Sequence, residues 1–422
     1  MSFPKDFLTR EEALKTLGVK TATLYSYVSR GLIRSVPAEG SNKHLYSRED
    51  VERFAARGRG RLPRSVAAGA SMRWGEPVVN SSITYIDARG PVYRNRSAVD
   101  TAQAGYSFEV LAHFLITGVW QDATVDWPVA EVPKDVLTLL DAHAKAIAPG
   151  DIGNLMAMVV LALGMRSRDQ REMTDGSTVL TARLILQTFV GCLGFLAPAG
   201  RFVARKDGES LAGYALRASG VEATPHARQA IDAALIVLAD HELAPATFAA
   251  RVAASINAGL CNCIGAAISA HVGFSTGAVT DRVETQLFDV CTEAGLNAKL
   301  TTVRNYGANL FGFNHPLYPG GDPRAELILG YARGGSKLRA PVRQISAFLE
   351  RVKSETGSTP GVALALVVLT RALGMPRGSA TALWIVGRTA GWVAHVVEQR
   401  TQAFMLRPRA KFIPQVKGGT GG

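Results

Sequence analysis

Cysteine is scarce in this chain: Cys192, Cys261, Cys263 and Cys291 are the only four in 422 residues. Thiols so few and so spaced form neither a disulfide framework nor a Cys-x-x-Cys metal site, and no metal is expected. Cys261 and Cys263 lie two apart in a helical stretch, point to different faces and read as small buried apolar groups. The longest apolar runs, Leu155–Met165 and Val362–Thr370, fall far short of the roughly 20 residues a membrane span needs, so no membrane partner is expected. The N-terminus carries acids early and lacks an apolar core, which excludes a secretory signal. Charged residues are only 19% against 47% apolar, and the mean hydropathy is +0.10, which excludes a disordered chain and allows a large core. These absences predict a protein of a reducing, cytoplasmic compartment.

What is present divides unevenly. The length predicts two or three domains at about 150 residues each. The formal net charge is +12, and residues 1–64 carry 13 Lys/Arg against 7 Asp/Glu, so +6 of it lies in that short segment. A locally basic segment points to a polyanion partner.

Within that segment, Thr9-Arg-Glu-Glu12 has capping-box spacing, opening a helix that Gly18 would stop. Lys20–Arg30 reads as a second short helix with Leu24 and Val28 on its core face, ended by Gly31. Arg34–Tyr46 carries Pro37, Gly40, Ser41 and Asn42, the chemistry of a hairpin or wing, and Ser47-Arg-Glu-Asp50 opens a further helix through Val51 and Phe54. Two short helices, a tight turn, a wing and a third helix make the helix-turn-helix plan. Residues 8–33 and 45–54 resemble the winged helix-turn-helix of the MerR/excisionase type. The resemblance implies DNA as a partner, with Thr21, Thr23, Tyr25 and Ser26 toward a groove and Arg30, Arg34 and Lys43 toward phosphates. The module is expected to occupy 1–57, followed by a basic linker over 58–73.

From Trp74 the character changes. Residues 81–96 read as a small hairpin turning at Asp87–Gly90, and almost everything after it has helical periodicity, including Asp151–Gly164, Ser177–Phe195, His226–Leu238, Ala246–His271, Gly361–Leu373 and Ser379–Gln399. The fold class expected is mainly α.

Four runs carry chemistry. Ala239-Asp-His-Glu242 ends a helix with an acid-His-acid sequence. Gly312-Phe-Asn-His315 leads through a Gly/Pro-rich loop to Arg324. Gly387-Arg388-Thr-Ala-Gly-Trp-Val-Ala-His395 puts an arginine inside a helix, and Leu406-Arg407-Pro-Arg-Ala410 closes the fold. In this order they resemble citrate synthase, over roughly Trp74 to Pro414. The resemblance implies a mainly α homodimer with a large domain (74–278 and 376–422) and a small lid domain (279–375). It implies a di- or tricarboxylate ligand of the oxaloacetate or citrate type, held by His241, His315, Arg324 and Arg388, with Arg407 supplied by the partner subunit. Planar guanidiniums suit carboxylates because they bind them bidentately. No resident cofactor is expected; a CoA thioester is the co-substrate the family implies.

The sequence departs from the family where the proton is handled. The catalytic histidine falls at Thr276, in Gly273-Phe-Ser-Thr-Gly-Ala278. The catalytic aspartate, counted from Arg371-Ala-Leu-Gly374, falls at Ala363. General acid–base groups contribute about 10²–10⁴-fold each. The expectation is a carboxylate-binding, catalytically impaired protein that acts as a ligand-responsive, DNA-binding regulator. The alternative is an active citrate or 2-methylcitrate synthase with a remodelled acid/base set; a third reading is a heterodimer with an active paralogue.

Overall fold

In the N-terminal segment the Thr9 hydroxyl accepts from Glu12 N at 3.3 Å while Thr9 N donates to the Glu12 carboxylate at 2.8 Å. This reciprocal cap opens α1 (Arg10–Leu17), and Gly18 at φ 64 closes it in the left-handed conformation that glycine tolerates. α2 (Thr21–Ser29) follows. The strands β1 (Phe7–Leu8), β2 (Ser35–Pro37) and β3 (His44–Ser47) form an antiparallel sheet in the order β1-β3-β2, with Leu8 opposite Tyr46 and Val36 opposite Leu45. Leu8, Ala13, Leu24, Ile33, Tyr46 and Val51 make a separate small core, with Val28 packed on it. The expected helix–turn–helix–wing order is therefore present.

The computed structural model describes residues 7–29, 33, 35–37, 44–48, 50–52, 79–123, 125, 127–143, 147–166, 177–273, 278–288, 292–306, 312–334, 340–402 and 404–408. The chain divides into two units, one of residues 1–80 and 408–422 and one of residues 81–407. The expected linker at 58–73, Cys291 and Thr276 lie outside the described residues.

The second unit begins with a three-stranded antiparallel sheet, β4 (Thr84–Asp87), β5 (Gly90–Tyr93) and β6 (Arg96–Ser97), and is otherwise helical. Its helices are α3 (Ala98–Gln103), α4 (Phe108–Thr117), α5 (Lys134–His143), α6 (Ile152–Arg166), α7 (Thr178–Cys192), α8 (Leu211–Ala218), α9 (Pro225–Leu238), α10 (Pro245–Ala254), α11 (Leu260–His271), α12 (Ala278–Val283), α13 (Glu293–Tyr306), α14 (Pro323–Arg333), α15 (Ala340–Thr356), α16 (Val362–Leu373) and α17 (Ser379–Gln402). A short π-helical turn, Glu284–Phe288, follows α12.

The axis of this unit is α17. It is buried on nearly all sides, with Leu383, Ile385, Val386, Trp392, Val393 and Val396 fully enclosed beside a few buried polar groups, among them Arg388 and His395. It packs against α4, α7, α9, α10 and α11. Two glycines one turn apart let it touch α9 backbone to backbone. A Cβ on Gly391 would lie 2.3 Å from the Ala239 carbonyl oxygen, and one on Gly387 would lie 3.1 Å from that of Leu235. Gly391 N donates to Ala239 O at 3.0 Å across this contact.

Two expectations need correction. Ala246–His271 is not one helix. It breaks after Ala254, where Asn257 takes a positive φ of 58 and Gly259 caps α11, so that two antiparallel-capable segments replace one long rod. Arg324 does not lie in a loop: Asp322 caps α14, Pro323 fills its first turn, and Arg324 follows inside the helix. Among the described residues one stretch, Thr178–Phe195, is long and apolar enough to cross a membrane, and 67% of it is buried within the protein. Ile185, Leu186, Phe189 and Val190 on it are core residues.

Candidate functional site

The C-terminal turn of α9 carries the first functional run. Its last carbonyls are held from two sides. Tyr93 on β5 places its hydroxyl 3.1 Å from Ile236 O and 3.2 Å from Asp240 O, and accepts from Asp240 N at 3.2 Å. Arg388 on α17 donates from Nε to Leu238 O at 2.9 Å. Glu242 at φ 53 turns the chain just after His241. Arg388 sits between Gly387 and Gly391, so the glycine contact that joins α17 to α9 also sets Arg388 beside the turn bearing His241.

Behind this turn lies a network whose pairings no local sequence pattern signals. Asp240, wholly buried, accepts from His395 Nε2 at 3.0 Å. Arg251 on α10 donates to His395 Nδ1 at 3.3 Å, to Glu398 at 2.7 Å, and to Gln399 and Gln402 at 2.8 Å each. Glu398 also accepts from the amide and hydroxyl of Ser82 at 2.6 and 2.8 Å. Burial pushes the Asp240 carboxyl up, but His395 and then Arg388 outweigh it and hold it below the ordinary carboxylate value, so it stays ionised. One oxygen of this buried charge is bonded to His395 while the other has no hydrogen-bond partner, so its ionisation rests on the His395 bond and on the nearby Arg388 charge.

The loop from Gly312 to Asp322 brings the second run. Gly312 takes φ 85, and Gly361 N donates to its carbonyl at 2.7 Å. Asn314 N donates to Thr359 O at 2.8 Å, and Thr359 N returns a bond to the Asn314 side chain at 3.0 Å. The loop is thus fastened to the start of α16. Asp322 then accepts from Arg324 Nε at 2.9 Å and Nη2 at 2.8 Å, a bidentate pair with both side chains buried. The same carboxylate accepts from Val362 N at 3.2 Å.

Of the residues expected to bind the ligand, His241, His315, Arg324 and Arg388 are brought together. The His241 and His315 rings lie 5.2 Å apart. Burial, and after it Arg324, Arg388 and His315, lower the His241 pKa well below its ordinary value; burial and then Arg324 lower that of His315, against Asp322. Both rings are therefore neutral near pH 7. Leu317 N donates to His315 Nδ1 at 3.2 Å, and since an amide can only donate, the His315 proton is on Nε2. Burial lowers the Arg388 pKa, with Asp240 opposing, yet a guanidinium keeps its charge. Arg388 forms no ion pair within 4 Å among the described residues; Arg324 is matched by Asp322. Tyr318, in the loop between His315 and Arg324, touches His241, His315 and Arg324.

Arg407 is exposed at the end of the second unit and joins none of these contacts. Ala363 is buried at the start of α16, one residue from the Asp322-bonded Val362. The nearest carboxylate whose contacts reach this turn, Asp322, is occupied by Arg324. Asp281 bonds Thr381 and Glu284 bonds Gly378 N, both on the α17 side rather than at this turn. In the first unit, Tyr25 is exposed on α2, and Thr21 and Thr23 are half-buried on the same helix. Arg30, Arg34, Lys43 and the side chain of Ser26 lie outside the described residues.

Residues 71–409 match the family model for the citrate synthase C-terminal domain, and residues 7–59 match a helix-turn-helix domain. The chain belongs to the citrate synthase family and carries an N-terminal helix-turn-helix domain. It is similar to citrate synthase 2 of Bacillus subtilis, at 29% identity over 197 residues covering 46% of this chain and 53% of that one. It is also similar to citrate synthase of Deinococcus radiodurans, at 23% over 291 residues covering 67% and 76%. The chain spans about half the length of the curated relatives it matches at close to 30% identity. Among solved structures it resembles the Thermoplasma acidophilum citrate synthase ternary complex with carboxymethyl coenzyme A and oxaloacetate. The TM-score is 0.69 at 21% identity, covering 84% of this chain and 98% of that one. Citrate synthase from Thermotoga maritima gives a TM-score of 0.67 at 23% identity, covering 82% and 96%. These two likenesses define the fold.

Proposed function

We propose that the second unit binds a di- or tricarboxylate of the oxaloacetate or citrate type through His241, His315, Arg324 and Arg388, and that it does so with little or no turnover. One observation carries this reading: the Arg388 guanidinium is buried beside two neutral imidazoles and has no carboxylate bonded to it among the described residues. A buried cation with no carboxylate bonded to it, and only the Asp240 charge nearby, carries a desolvation cost that an anionic ligand would offset. The reading of impaired catalysis rests on Ala363, which has no proton to take or give, and on the engagement of Asp322 with Arg324 and Val362 N. A carboxylate so bonded is a poor base.

The same proposal gives the chain a regulatory role. The helix-turn-helix domain binds DNA, and ligand closure of the 279–375 domain alters how a homodimer presents its two copies to a two-fold site. Exposed Leu161, Met165, Leu180 and Ile256 supply apolar surface that a second copy would cover, with Arg407 crossing to the partner's pocket. A CoA thioester enters as co-substrate only if the acid/base set has been rebuilt elsewhere. Two measurements test the whole. Calorimetry with citrate and oxaloacetate should show binding to the wild-type protein; if neither binds, the sensor reading fails. A thiol-trapping assay for CoA release from acetyl-CoA or propionyl-CoA plus oxaloacetate should stay well below about 1 s⁻¹, the low end of ordinary enzymes. Faster release would make the chain an active citrate or 2-methylcitrate synthase.

A further inference from the structure

Tyr318 stands where three of the pocket's side chains meet. Its ring centre is 5.0 Å from that of His315 and 5.0 Å from the Arg324 guanidinium carbon, and its hydroxyl is 2.9 Å from His241 Nε2. It is 3% exposed. Phenylalanine would fill the same space and keep the cation–ring contact, so the hydroxyl is the informative atom.

The direction of the bond follows from relative acidity. A phenol is a better donor than a neutral imidazole N–H, and an imidazole nitrogen is a better acceptor than a phenol oxygen. Burial pushes the Tyr318 hydroxyl up to about 12, so it keeps its proton. The hydroxyl therefore donates to Nε2, and the single proton of neutral His241 is on Nδ1. Among the described residues His241 Nδ1 has no hydrogen-bond partner. The matching choice at His315 is made by the Leu317 amide, which leaves its proton on Nε2. A neutral imidazole offers one donor and one lone pair, and an acceptor-only ligand is drawn to the first and repelled by the second.

We propose that Tyr318 is a positioning residue that locks His241 in the Nδ1–H tautomer, so that both imidazoles of the pocket offer an N–H to a carboxylate or carbonyl oxygen. The role assigned to that N–H rests on reading the pocket as a carboxylate site; the tautomer itself does not.

The test uses full-length protein with ¹⁵N-labelled histidine, observed by NMR without ligand near pH 7.5, the His241 signals being assigned from His241→Asn. Wild-type protein should show His241 protonated at Nδ1 and bare at Nε2. Tyr318→Phe should shift that pattern toward Nε2–H while the His315 signals stay in place, and should weaken citrate binding by about tenfold, the worth of one hydrogen bond to a charged group. A wild-type spectrum with His241 protonated at Nε2 overturns the proposal, and that measurement stands even if the variant fails to fold. A folded Tyr318→Phe with an unchanged His241 tautomer and unchanged citrate affinity overturns it as well. Wild-type protein that binds neither citrate nor oxaloacetate sinks the carboxylate reading, and the ligand-free spectrum then decides Tyr318 alone.

Discussion

Arg388 and Ala363 make opposite predictions at the scale of single residues. Removing the guanidinium in Arg388→Ala takes away the buried cation that no carboxylate bonds among the described residues, and citrate affinity should fall by at least about a hundredfold in calorimetry. Supplying the missing pair, Thr276→His with Ala363→Asp, should raise CoA release by about 10²-fold or more if the ligand is held in a productive pose. An unchanged rate in a folded double variant would show that more than the acid/base pair has been lost. The carboxylate-holding side chains were readable from sequence because each lies in a short run with its own surroundings: His241 in an acid-His-acid turn, Arg388 between two glycines. Tyr318, in the loop between His315 and Arg324, gave no such signal because its role depends on a bond to His241, 77 residues away. The pairing of Asp240, His395 and Arg251 left no trace for the same reason, although the first two lie in runs that carry other chemistry. His395 meets Arg251 and Asp240 across 144 and 155 positions, and no local pattern encodes such a pairing.

At the scale of elements, Gly391 is the place where α17 rests on α9. Gly391→Ala puts a methyl group against the Ala239 carbonyl and the Asp240 side chain, both fixed by other bonds. The expected cost is about 1–3 kcal/mol, visible as a lower unfolding midpoint together with weaker citrate binding, since Arg388 and His241 ride on the two helices concerned. Asp232, midway along α9, and Glu109, in the first turn of α4, each accept from the first amide of a neighbouring helix: Phe108 N donates to Asp232 at 2.9 Å and Leu211 N to Glu109 at 2.6 Å. Burial, and then Glu109, push Asp232 up to about 8. The folded state therefore holds a proton that the unfolded chain has released, and stability falls as pH rises from about 4 to about 8. Asp232→Asn keeps an acceptor for Phe108 N without the charge. It should flatten that dependence and stabilise the protein by a few kcal/mol at pH 8, measured by denaturant unfolding at several pH values. Helix existence was largely legible in periodicity and caps, as the reciprocal cap at Thr9 shows. Helix limits were not. The break at Ser255–Gly259 has apolar helical spacing on both sides, and only the backbone turn at Asn257 separates them. Asp322-Pro323 was a helix start in plain view, but its Gly/Pro-rich lead-in read as loop throughout.

For the whole molecule, the proposal joins a family fold that holds an anion to a basic helix-turn-helix domain. If the helix-turn-helix domain binds DNA as proposed, fluorescence anisotropy with a labelled random-sequence DNA duplex should show affinity falling linearly with the logarithm of salt concentration, the mark of phosphate contacts. Saturating citrate should shift that affinity by about 5- to 150-fold, the usual range of coupling between two sites, and Arg388→Ala should abolish the shift while leaving the ligand-free affinity in place. Light scattering should give twice the chain's mass, and Met165→Glu, which sets a charge on the exposed apolar surface, should lower it.

The amide of Val362 hangs from the carboxylate that steadies Arg324. On the proposed reading, a ligand that draws on this arginine also draws on the side-chain bond that holds the first amide of α16, so that filling the site changes the hold on that helix at its root. Occupancy becomes readable without any ligand signal at all, as a changed rate of deuterium uptake at a single peptide group.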